Sequence, residues 1–277
     1  MNARQPTFLW HDYETFGTDP AVDRPVQFAA LRTDADLQEI GEPMVWWCAP
    51  AADTLPHPGA CLVTGITPGQ AAQKGMSEPD FARRIHGAMM QPDTCSVGYN
   101  SLRFDDEFTR HLLYRNFYDP YEREWRNGNS RWDLIDLARM CYALRPEGIK
   151  WPEREPGVPS FKLEDLTAAN GIEHAGAHEA LADVRATLAF ARLLRSSQPR
   201  LFEWSLALRD KRKVLELFDL KDPQPLLHSS SRYPAARGAT TLVLPLAEHA
   251  EQRNVFIVVD LAADPAPLLN ADPTDIA

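Results

Sequence analysis

The chain lacks three features that would place it in other classes of protein. None of its apolar runs approaches the ~20 residues that a transmembrane helix requires. Its N-terminus has no apolar core of the kind that marks a secretory signal peptide. Its four cysteines are far apart and form no Cys-x-x-Cys pair, so we expect reduced core thiols and no structural zinc. These absences predict a cytoplasmic protein with no attachment to a membrane.

The chain also lacks a positive net charge, since it has 29 lysine and arginine residues against 39 aspartate and glutamate residues, a formal net charge of −10 over 277 residues. Taken alone, this balance argues against non-specific binding to nucleic acid. It does not exclude an enzyme that acts on nucleic acid, because acidic metal ligands enter the count and their cations do not. Hydrophobic residues make up 44% and charged residues 25%, which is ordinary for a folded chain with one large domain and part of another.

Alternating and helical hydrophobic patterns predict an α/β fold. Short β-rich runs predict strands at residues 8–12, 25–33, 44–48 and 94–99. Helical spacing predicts helices at residues 77–89, 105–117, 132–144, 162–170 and 180–194. A proline-rich loop follows the third helix at 145–159, and the sequence pattern changes at 198–199, where a second region begins. Beyond that point we expect a helix at 201–218, a loop at 221–239, and strands at 240–246 and 254–261.

Asp12 and Glu14 stand two positions apart at the end of a segment, Thr7 to Tyr13, whose pattern predicts a β-strand. Side chains two apart on a strand project from the same face, so these carboxylates lie side by side. Neighbouring carboxylates repel each other, and a divalent cation between them removes the repulsion and creates a metal site. Because paired metal ions are the usual device for breaking phosphodiester bonds, the pair favours a metal-dependent nuclease.

A third acid, Asp105, begins a predicted helix directly after the strand at 94–99. The ends of strands are where ligands collect in open α/β sheets, so this carboxylate is placed to reach the first strand. Asp106 and Glu107 are its immediate neighbours, and chemistry alone leaves the choice among the three open.

A fourth acid, Asp183, lies on the apolar face of the helix predicted at 180–194, where a metal would compensate a buried carboxylate. The alternative is an ordinary first-turn aspartate that the helix dipole favours. His178 precedes it by five residues, and a neutral imidazole there is suited to accept a proton from water. The alternative for His178 is a surface or capping histidine, and the nearby His174 shows that a histidine in this region is not in itself special.

The motifs Asp12-Tyr13-Glu14, Phe104-Asp105 and His178-x4-Asp183 together resemble the DEDDh branch of the DEDD exonuclease superfamily. A member of the tyrosine branch would carry tyrosine at position 179, which is glutamate here. Within the DEDDh branch, four segments are similar to the bacterial exodeoxyribonuclease I family of single-strand-specific 3′→5′ DNA exonucleases: residues 11–34, 98–121, 129–149 and 170–184.

The resemblance implies a ribonuclease H-like exonuclease domain over residues 6–198, with a mixed sheet flanked by helices. It implies a helix and a partial Src-homology-3-like β region over residues 199–277. It also implies that Asp12, Glu14, Asp105 and Asp183 hold two Mg²⁺ ions, with Mn²⁺ as an alternative, and that His178 is the general base. The expected reaction releases 5′-mononucleotides from the 3′ end of single-stranded DNA, in DNA repair and recombination.

Residues 110–132 interleave basic and aromatic side chains, a composition that suits a single strand of nucleic acid. Arg110, Tyr121 and Trp125 are the candidates for contact with DNA. The alternative is that the rings fill the core and the charges face water.

Further candidates rest on the resemblance. Thr15 is expected near the terminal nucleotide, and Arg139 and Lys162 stand where relatives present basic groups to the strand. Lysine at position 162 replaces the expected arginine, so a bidentate phosphate contact becomes a point charge. Weaker candidates are Asn254 and the basic residues at 211–213.

Members of the family continue past position 277, completing the barrel and adding a helical domain that closes around the strand. If the chain ends there, we expect the chemistry to persist with lower processivity, and binding to the acidic tail of single-strand DNA-binding protein to weaken. Two other functions stay open. A DEDDh exoribonuclease would prefer substrates with a 2′-hydroxyl. A truncated, inactive chain would bind single strands or a partner without any turnover that EDTA abolishes.

Overall fold

The computed structural model describes residues 6–174 and 179–270. The elements of the first segment are β1 (Thr7–Thr15), β2 (Pro25–Thr33), β3 (Met44–Trp47), α1 (Pro58–Thr64), α2 (Pro68–Lys74), α3 (Glu78–Met89), β4 (Thr94–Gly98), α4 (Asp105–Arg115), β5 (Ser130–Asp133), α5 (Leu134–Leu144), β6 (Glu153–Glu155), β7 (Val158–Pro159) and α6 (Leu163–Ala169). Those of the second are α7 (Ala180–Ser197), α8 (Pro199–Ala207), α9 (Lys211–Leu215), β8 (Leu226–Ser229), β9 (Thr240–Glu248), β10 (Phe256–Asp260) and α10 (Ala266–Leu269).

The central sheet has the strand order β3-β2-β1-β4-β5. β1 pairs antiparallel with β2 and parallel with β4, and β4 pairs parallel with β5. This arrangement confirms the α/β class and the mixed sheet expected from the sequence. The pairing of β1 with β4 ends at Trp10, so the end of β1 that carries Asp12 and Glu14 extends beyond β4.

Each face of this sheet has its own hydrophobic core. Phe8 and Trp10 belong to the cluster that α5 and α7 cover, whereas Leu9 and Tyr13 belong to the cluster that α3 covers. The alternation follows the two-residue period of a strand. Asp12 therefore shares the face of Trp10, over which α7 packs on β1 and β2.

The helix predicted over residues 132–144 is wrong at its start, because Trp132 and Asp133 belong to strand β5. Trp132 pairs with Val97 and is buried. The Asp133 side chain accepts a hydrogen bond from Ile135 N at 3.1 Å and caps α5. A buried tryptophan fits the helical pattern and the strand pattern equally well, so periodicity alone does not place this boundary.

Short elements occur where the sequence predicts none. Helices α1 and α2 lie between β3 and α3, and each begins with proline in its first turn behind a side-chain cap from His57 or Thr67. Strands β6 and β7 form a small hairpin inside the loop predicted at 145–159. The proline and glycine content that suggests a loop there also suits these short, exposed elements.

The single helix predicted over residues 201–218 is instead two helices, α8 and α9. Asp210 separates them, since its side chain accepts a hydrogen bond from Arg212 N at 3.0 Å and starts a new helix. The loop predicted at 221–239 contains β8, which joins β9 and β10 in an antiparallel sheet of order β10-β9-β8. The described part of this region thus has three strands where the sequence predicts two.

The cysteines match the expectation of reduced thiols. All four are free, and Cys48, Cys95 and Cys141 are buried. Within the described residues, no helix combines the length and the hydropathy that crossing a bilayer would need.

Candidate metal centre

Three carboxylates converge where the end of β1 meets the first turn of α7. Asp12 and Glu14 come from β1 and Asp183 comes from α7, and one oxygen from each lies within 4.8 Å of the others. The strand period supplies the first two, as expected from the sequence. The third arrives because α7 packs across β1 and β2, with Ala180 N donating a hydrogen bond to Gln27 Oε1 at 3.2 Å.

Asp105, at the start of α4, lies beside this group of three carboxylates. Its Oδ1 accepts a hydrogen bond from Tyr13 N at 3.2 Å, which fixes the carboxylate against the backbone between Asp12 and Glu14. It is buried, and its charge acts on both of those acids. Asp105 is therefore placed to complete the inner wall of the site.

The two neighbours of Asp105 have other partners. Asp106 accepts hydrogen bonds from Arg123 Nη2 at 2.6 Å and from Arg131 Nη1 at 2.9 Å. Burial alone would raise the pKa of Asp106, but the surrounding cations, Arg123 first, lower it to about 2. Glu107 pairs with Arg110 on the outer face of α4. The choice that the sequence leaves open thus falls on Asp105.

Three carboxylates of the site, those of Asp12, Glu14 and Asp105, have raised pKa values. Burial, followed by the charges of Asp183 and Asp105, raises the pKa of Glu14 to about 8. Burial and then the charge of Asp105 hold the pKa of Asp12 well above its ordinary value. Burial likewise raises the pKa of Asp105. A group of buried acids with raised pKa values is electrostatically incomplete until a cation or protons balance it.

The donor set fits a hard divalent cation. It consists of carboxylate oxygens, which suit Mg²⁺ and Mn²⁺ better than the sulfur or imidazole sets that select softer metals. Asp12, Glu14 and Asp183 are the side chains that would hold the ion, with Asp105 next to them. The geometry thus supports metal-ligand roles for the four acids named from the sequence, and those roles are proposals.

His178, the general base expected from the sequence, lies outside the described residues. Among the described residues, His174 contacts the site. Its Nε2 lies 2.5 Å from Asp183 Oδ1, within hydrogen-bond distance. Sequence reasoning misses this contact because His174 stands nine positions before Asp183 and belongs to no motif, and only the turn after α6 brings it there.

The hydroxyl of Thr15 makes a hydrogen bond to the backbone close to it in the sequence. Thr15 is buried, and its hydroxyl donates to Gly17 O at 2.6 Å, which closes the turn at the end of β1. A role for Thr15 near the terminal nucleotide stays a prediction, and the structure gives this hydroxyl a structural task in addition.

The three candidates for DNA contact between residues 110 and 125 differ in what they offer to a ligand. The guanidinium of Arg110 is bound by the carboxylates of Glu107 and Glu124 and lies 5.0 Å from the ring centroid of Tyr121. Its charge is therefore largely balanced within the protein. The rings of Tyr121 and Trp125 are 54% and 65% exposed, so both are accessible for stacking.

The two basic candidates, Arg139 and Lys162, also differ in what they offer to a ligand. Arg139 is buried and donates from Nη1 to Asp136 Oδ1 at 2.8 Å. Its Nε has no partner among the described residues. Lys162 is exposed and stands as the N-cap residue of α6. The weaker candidates, Asn254 and residues 211–213, are exposed in the second region.

Comparison with known proteins agrees with this geometry. A family model described as an exonuclease matches residues 9–191, and one described as an exonuclease I SH3-like domain matches residues 209–277. These matches confirm a ribonuclease H-like exonuclease fold followed by a Src-homology-3-like region.

Exodeoxyribonuclease I of Escherichia coli K12 is 58% identical over 269 residues, which cover 97% of this chain and 57% of that protein. A crystal structure of E. coli exonuclease I with a dA16 oligonucleotide matches 98% of this chain and 58% of that one, with a TM-score of 0.96 and 57% identity. The zinc-bound form of an E. coli exonuclease I complex with single-stranded DNA covers 97% of this chain and 57% of that one, with a TM-score of 0.94 and 58% identity.

The chain therefore spans little more than half the length of the curated relative. The match nevertheless includes every described residue of the carboxylate site, since both β1 and the start of α7 fall inside the first family model from Leu9 onwards. On this evidence the chain belongs to the exonuclease family.

Proposed function

We propose that this chain is a divalent-metal-dependent exonuclease that removes 5′-mononucleotides from the 3′ end of single-stranded DNA, in DNA repair and recombination. The observation that carries the proposal is the convergence of Asp12, Glu14 and Asp183 within 4.8 Å, with Asp105 beside them. Similarity to exodeoxyribonuclease I and to a complex with dA16 supports the choice of DNA and of an exonuclease.

Two Mg²⁺ ions are the proposed cofactor, with Mn²⁺ as an alternative. When bound, they would activate the attacking water and stabilise charge on the scissile phosphate and the leaving oxygen. The part of the protein is to hold them: Asp12, Glu14, Asp105 and Asp183 supply oxygen ligands from β1, α4 and α7. Because α7 packs on one face of the sheet that contains β1, and Leu112 of α4 belongs to the core on the other face, the ligands are largely pre-positioned before substrate arrives.

His178 is proposed as the general base that accepts the proton of the attacking water. A histidine suits this task because its ordinary pKa lies near neutral pH. Support comes from its spacing of five residues before Asp183, as in the DEDDh motif.

The single strand is proposed to follow the exposed rings of Tyr121 and Trp125 and the basic side chains of Lys162 and Arg139. Stacking on aromatic rings tolerates any base, which suits a nuclease without sequence preference. Arg110 is proposed to act mainly by orienting Tyr121, because two carboxylates already bind its guanidinium. Thr15 is proposed to border the terminal nucleotide.

Three further parts of the proposal concern the setting. A cytoplasmic location agrees with four free cysteines. Binding to the acidic tail of single-strand DNA-binding protein remains a prediction from the family resemblance.

We propose domain limits of 6–198 and 199–277. The ring centroids of Phe202 on α8 and Trp132 lie 5.1 Å apart, so the start of the second domain shares the hydrophobic core of the first.

The proposal is tested with matched DNA and RNA oligonucleotides that carry a label at either the 5′ or the 3′ end. With Mg²⁺, we expect a 3′-labelled DNA strand to release labelled mononucleotide at once and a 5′-labelled strand to shorten stepwise. Digestion of RNA at the rate of DNA would overturn the substrate assignment. Release of mononucleotide first from the 5′ end would overturn the direction.

A further inference from the structure

The imidazole of His174 bridges two helices at the edge of the carboxylate site. Its Nε2 lies 2.5 Å from Asp183 Oδ1 on α7, and its Nδ1 lies 3.2 Å from Thr167 Oγ1 on α6. The ring is only 7% exposed. Both of its polar atoms are therefore occupied by protein groups, and one of those groups is a proposed metal ligand.

The direction of the bond to Asp183 follows from the inventory of donors and acceptors. A carboxylate that binds a metal ion is ionised and only accepts hydrogen bonds, so in the metal-binding state Nε2 carries the proton and donates it to Oδ1. The bond orients the Asp183 carboxylate, one oxygen of which lies within 4.8 Å of an oxygen of Asp12 and of Glu14. An arrangement of this kind orients a ligand without replacing it.

The chain around His174 is built to hold the ring in place. Thr167 is fully buried, and its hydroxyl also lies 2.8 Å from Leu163 O in the preceding turn of α6. Helix α6 ends at Ala169. Gly171, whose φ is +67°, then permits a left-handed turn, and Ile172 N donates back to Thr167 O at 2.9 Å. This turn sends the chain back over α6 and carries His174 to Asp183.

We infer that His174 is a positioning residue: it holds the carboxylate of Asp183 in its metal-binding orientation and is itself held by Thr167. The inference rests on the proposed metal centre and adds to it a residue outside the four acids and His178. Its consequence is that α6, which supplies no metal ligand in the proposal, contributes to metal affinity through Thr167 and His174.

The test is a calorimetric titration of the DNA-free protein with Mn²⁺. His174→Leu removes the donor while keeping an apolar side chain of comparable size, and we expect it to weaken Mn²⁺ binding roughly 10–100-fold, as for other residues that orient metal ligands. His174→Gln retains an N–H donor and should recover part of that loss. Thr167→Val removes the anchor alone and should weaken binding less than His174→Leu does.

A matched control is His86→Leu. His86 also pairs with a carboxylate, at 3.2 Å from Glu122 Oε1, but on α3 and apart from the site, so its loss should leave Mn²⁺ affinity unchanged. Melting curves in EDTA show whether each variant is folded. If His174→Leu is not folded, Thr167→Val decides the question by the same titration.

The inference is overturned if the folded His174→Leu protein binds Mn²⁺ within about twofold of the wild type, well below the change expected of such a residue. Equal weakening by His86→Leu, or no Mn²⁺ binding by the wild type, overturns it as well. Cleavage of DNA by the wild type is measured separately. Cleavage with no effect of His174 would sink this inference alone, whereas His174-dependent binding without cleavage would sink the proposed function alone.

Discussion

At the scale of one residue, Glu14 shows how folding changes the pKa of a carboxylate in the site. Its carboxylate is buried next to other acids, and that burial raises its pKa to about 8. In the unfolded chain the same group titrates near its ordinary value of 4.5. Between these two values, the folded metal-free protein binds a proton that the unfolded chain releases.

This difference fixes the sign of a pH effect. Because the folded state binds more protons, the contribution of Glu14 to stability is complete below about pH 4.5 and is lost as the pH rises to about 8. We expect the melting temperature of the wild type in EDTA to fall over that range. Glu14→Gln cannot ionise, so its melting temperature should fall less and should exceed that of the wild type at the upper end.

The measurement is a series of melting curves in EDTA for both proteins. When Mg²⁺ replaces EDTA, the melting temperature of the wild type should fall less steeply with pH, since the cation takes the place of the protons. Parallel curves for wild type and Glu14→Gln across this range would contradict the account of the site's electrostatics.

At the scale of elements, the start of α4 is held by a buried ion network behind the site. The side chain of Arg123 is 0% exposed and pairs with Asp106, which Arg131 also contacts. This network fixes Asp106 directly beside Asp105. The position of Asp105, a proposed metal ligand, therefore depends on the ion pairs of Asp106, which is not a proposed ligand.

Arg123→Met should destabilise the protein by about 3–5 kcal/mol, since removing one partner of a buried pair leaves a buried charge. The destabilisation should lie at the lower end of this range, because Arg131 still contacts Asp106. Urea denaturation measures the free energy of unfolding. Arg126→Met is the control: Arg126 is 58% exposed in its pair with Glu122, and exposed pairs contribute about 0–1 kcal/mol. If Arg123→Met lowers the free energy of unfolding no more than Arg126→Met does, the network does not anchor α4.

Elements with a strong period could be predicted from the sequence, and boundaries that side-chain caps decide could not. Strand β2 was predicted to the residue, because its apolar run ends at polar residues on both sides. The start of α5 and the break between α8 and α9 depend on Asp133 and Asp210, whose carboxylates cap backbone N–H groups. Aspartate is favoured at N-caps but also occurs within helices and in other turns, so which aspartate caps a helix emerges only with the fold.

The same distinction holds for the site. Spacing places Asp12 and Glu14 on one face, and the motif selects Asp105 and Asp183. The contact of His174 depends on a turn after α6 and on packing between α6 and α7. Such a contact has no sequence period, and only the structure reveals it.

At the scale of the whole molecule, a chain with a net charge of −10 is proposed to bind a polyanion. Stacking on exposed rings is the contribution that does not depend on net charge. We expect Trp125→Ala to weaken binding of a single-stranded oligonucleotide by about 1–3 kcal/mol, the typical value of one stacked base. Fluorescence anisotropy in EDTA measures binding without cleavage.

Trp204→Ala supplies the comparison for that experiment. Trp204 is 46% exposed on α8, outside the candidate stretch, and its loss should leave the affinity unchanged. If both substitutions weaken binding alike, or if neither does, the single strand does not run over Trp125.

The most direct test of the central claim, that these carboxylates form a hydrolytic metal centre, is the digestion of 3′-labelled single-stranded DNA by the purified 277-residue chain. We predict labelled mononucleotide with Mg²⁺, none with EDTA, and recovery when excess Mg²⁺ is restored. Asp183→Asn should slow release by a factor on the order of 10³, since losing a ligand removes several kcal/mol of charge stabilisation. A folded, Mg²⁺-saturated chain that leaves the oligonucleotide intact, or an Asp183→Asn variant as active as the wild type, would contradict the claim.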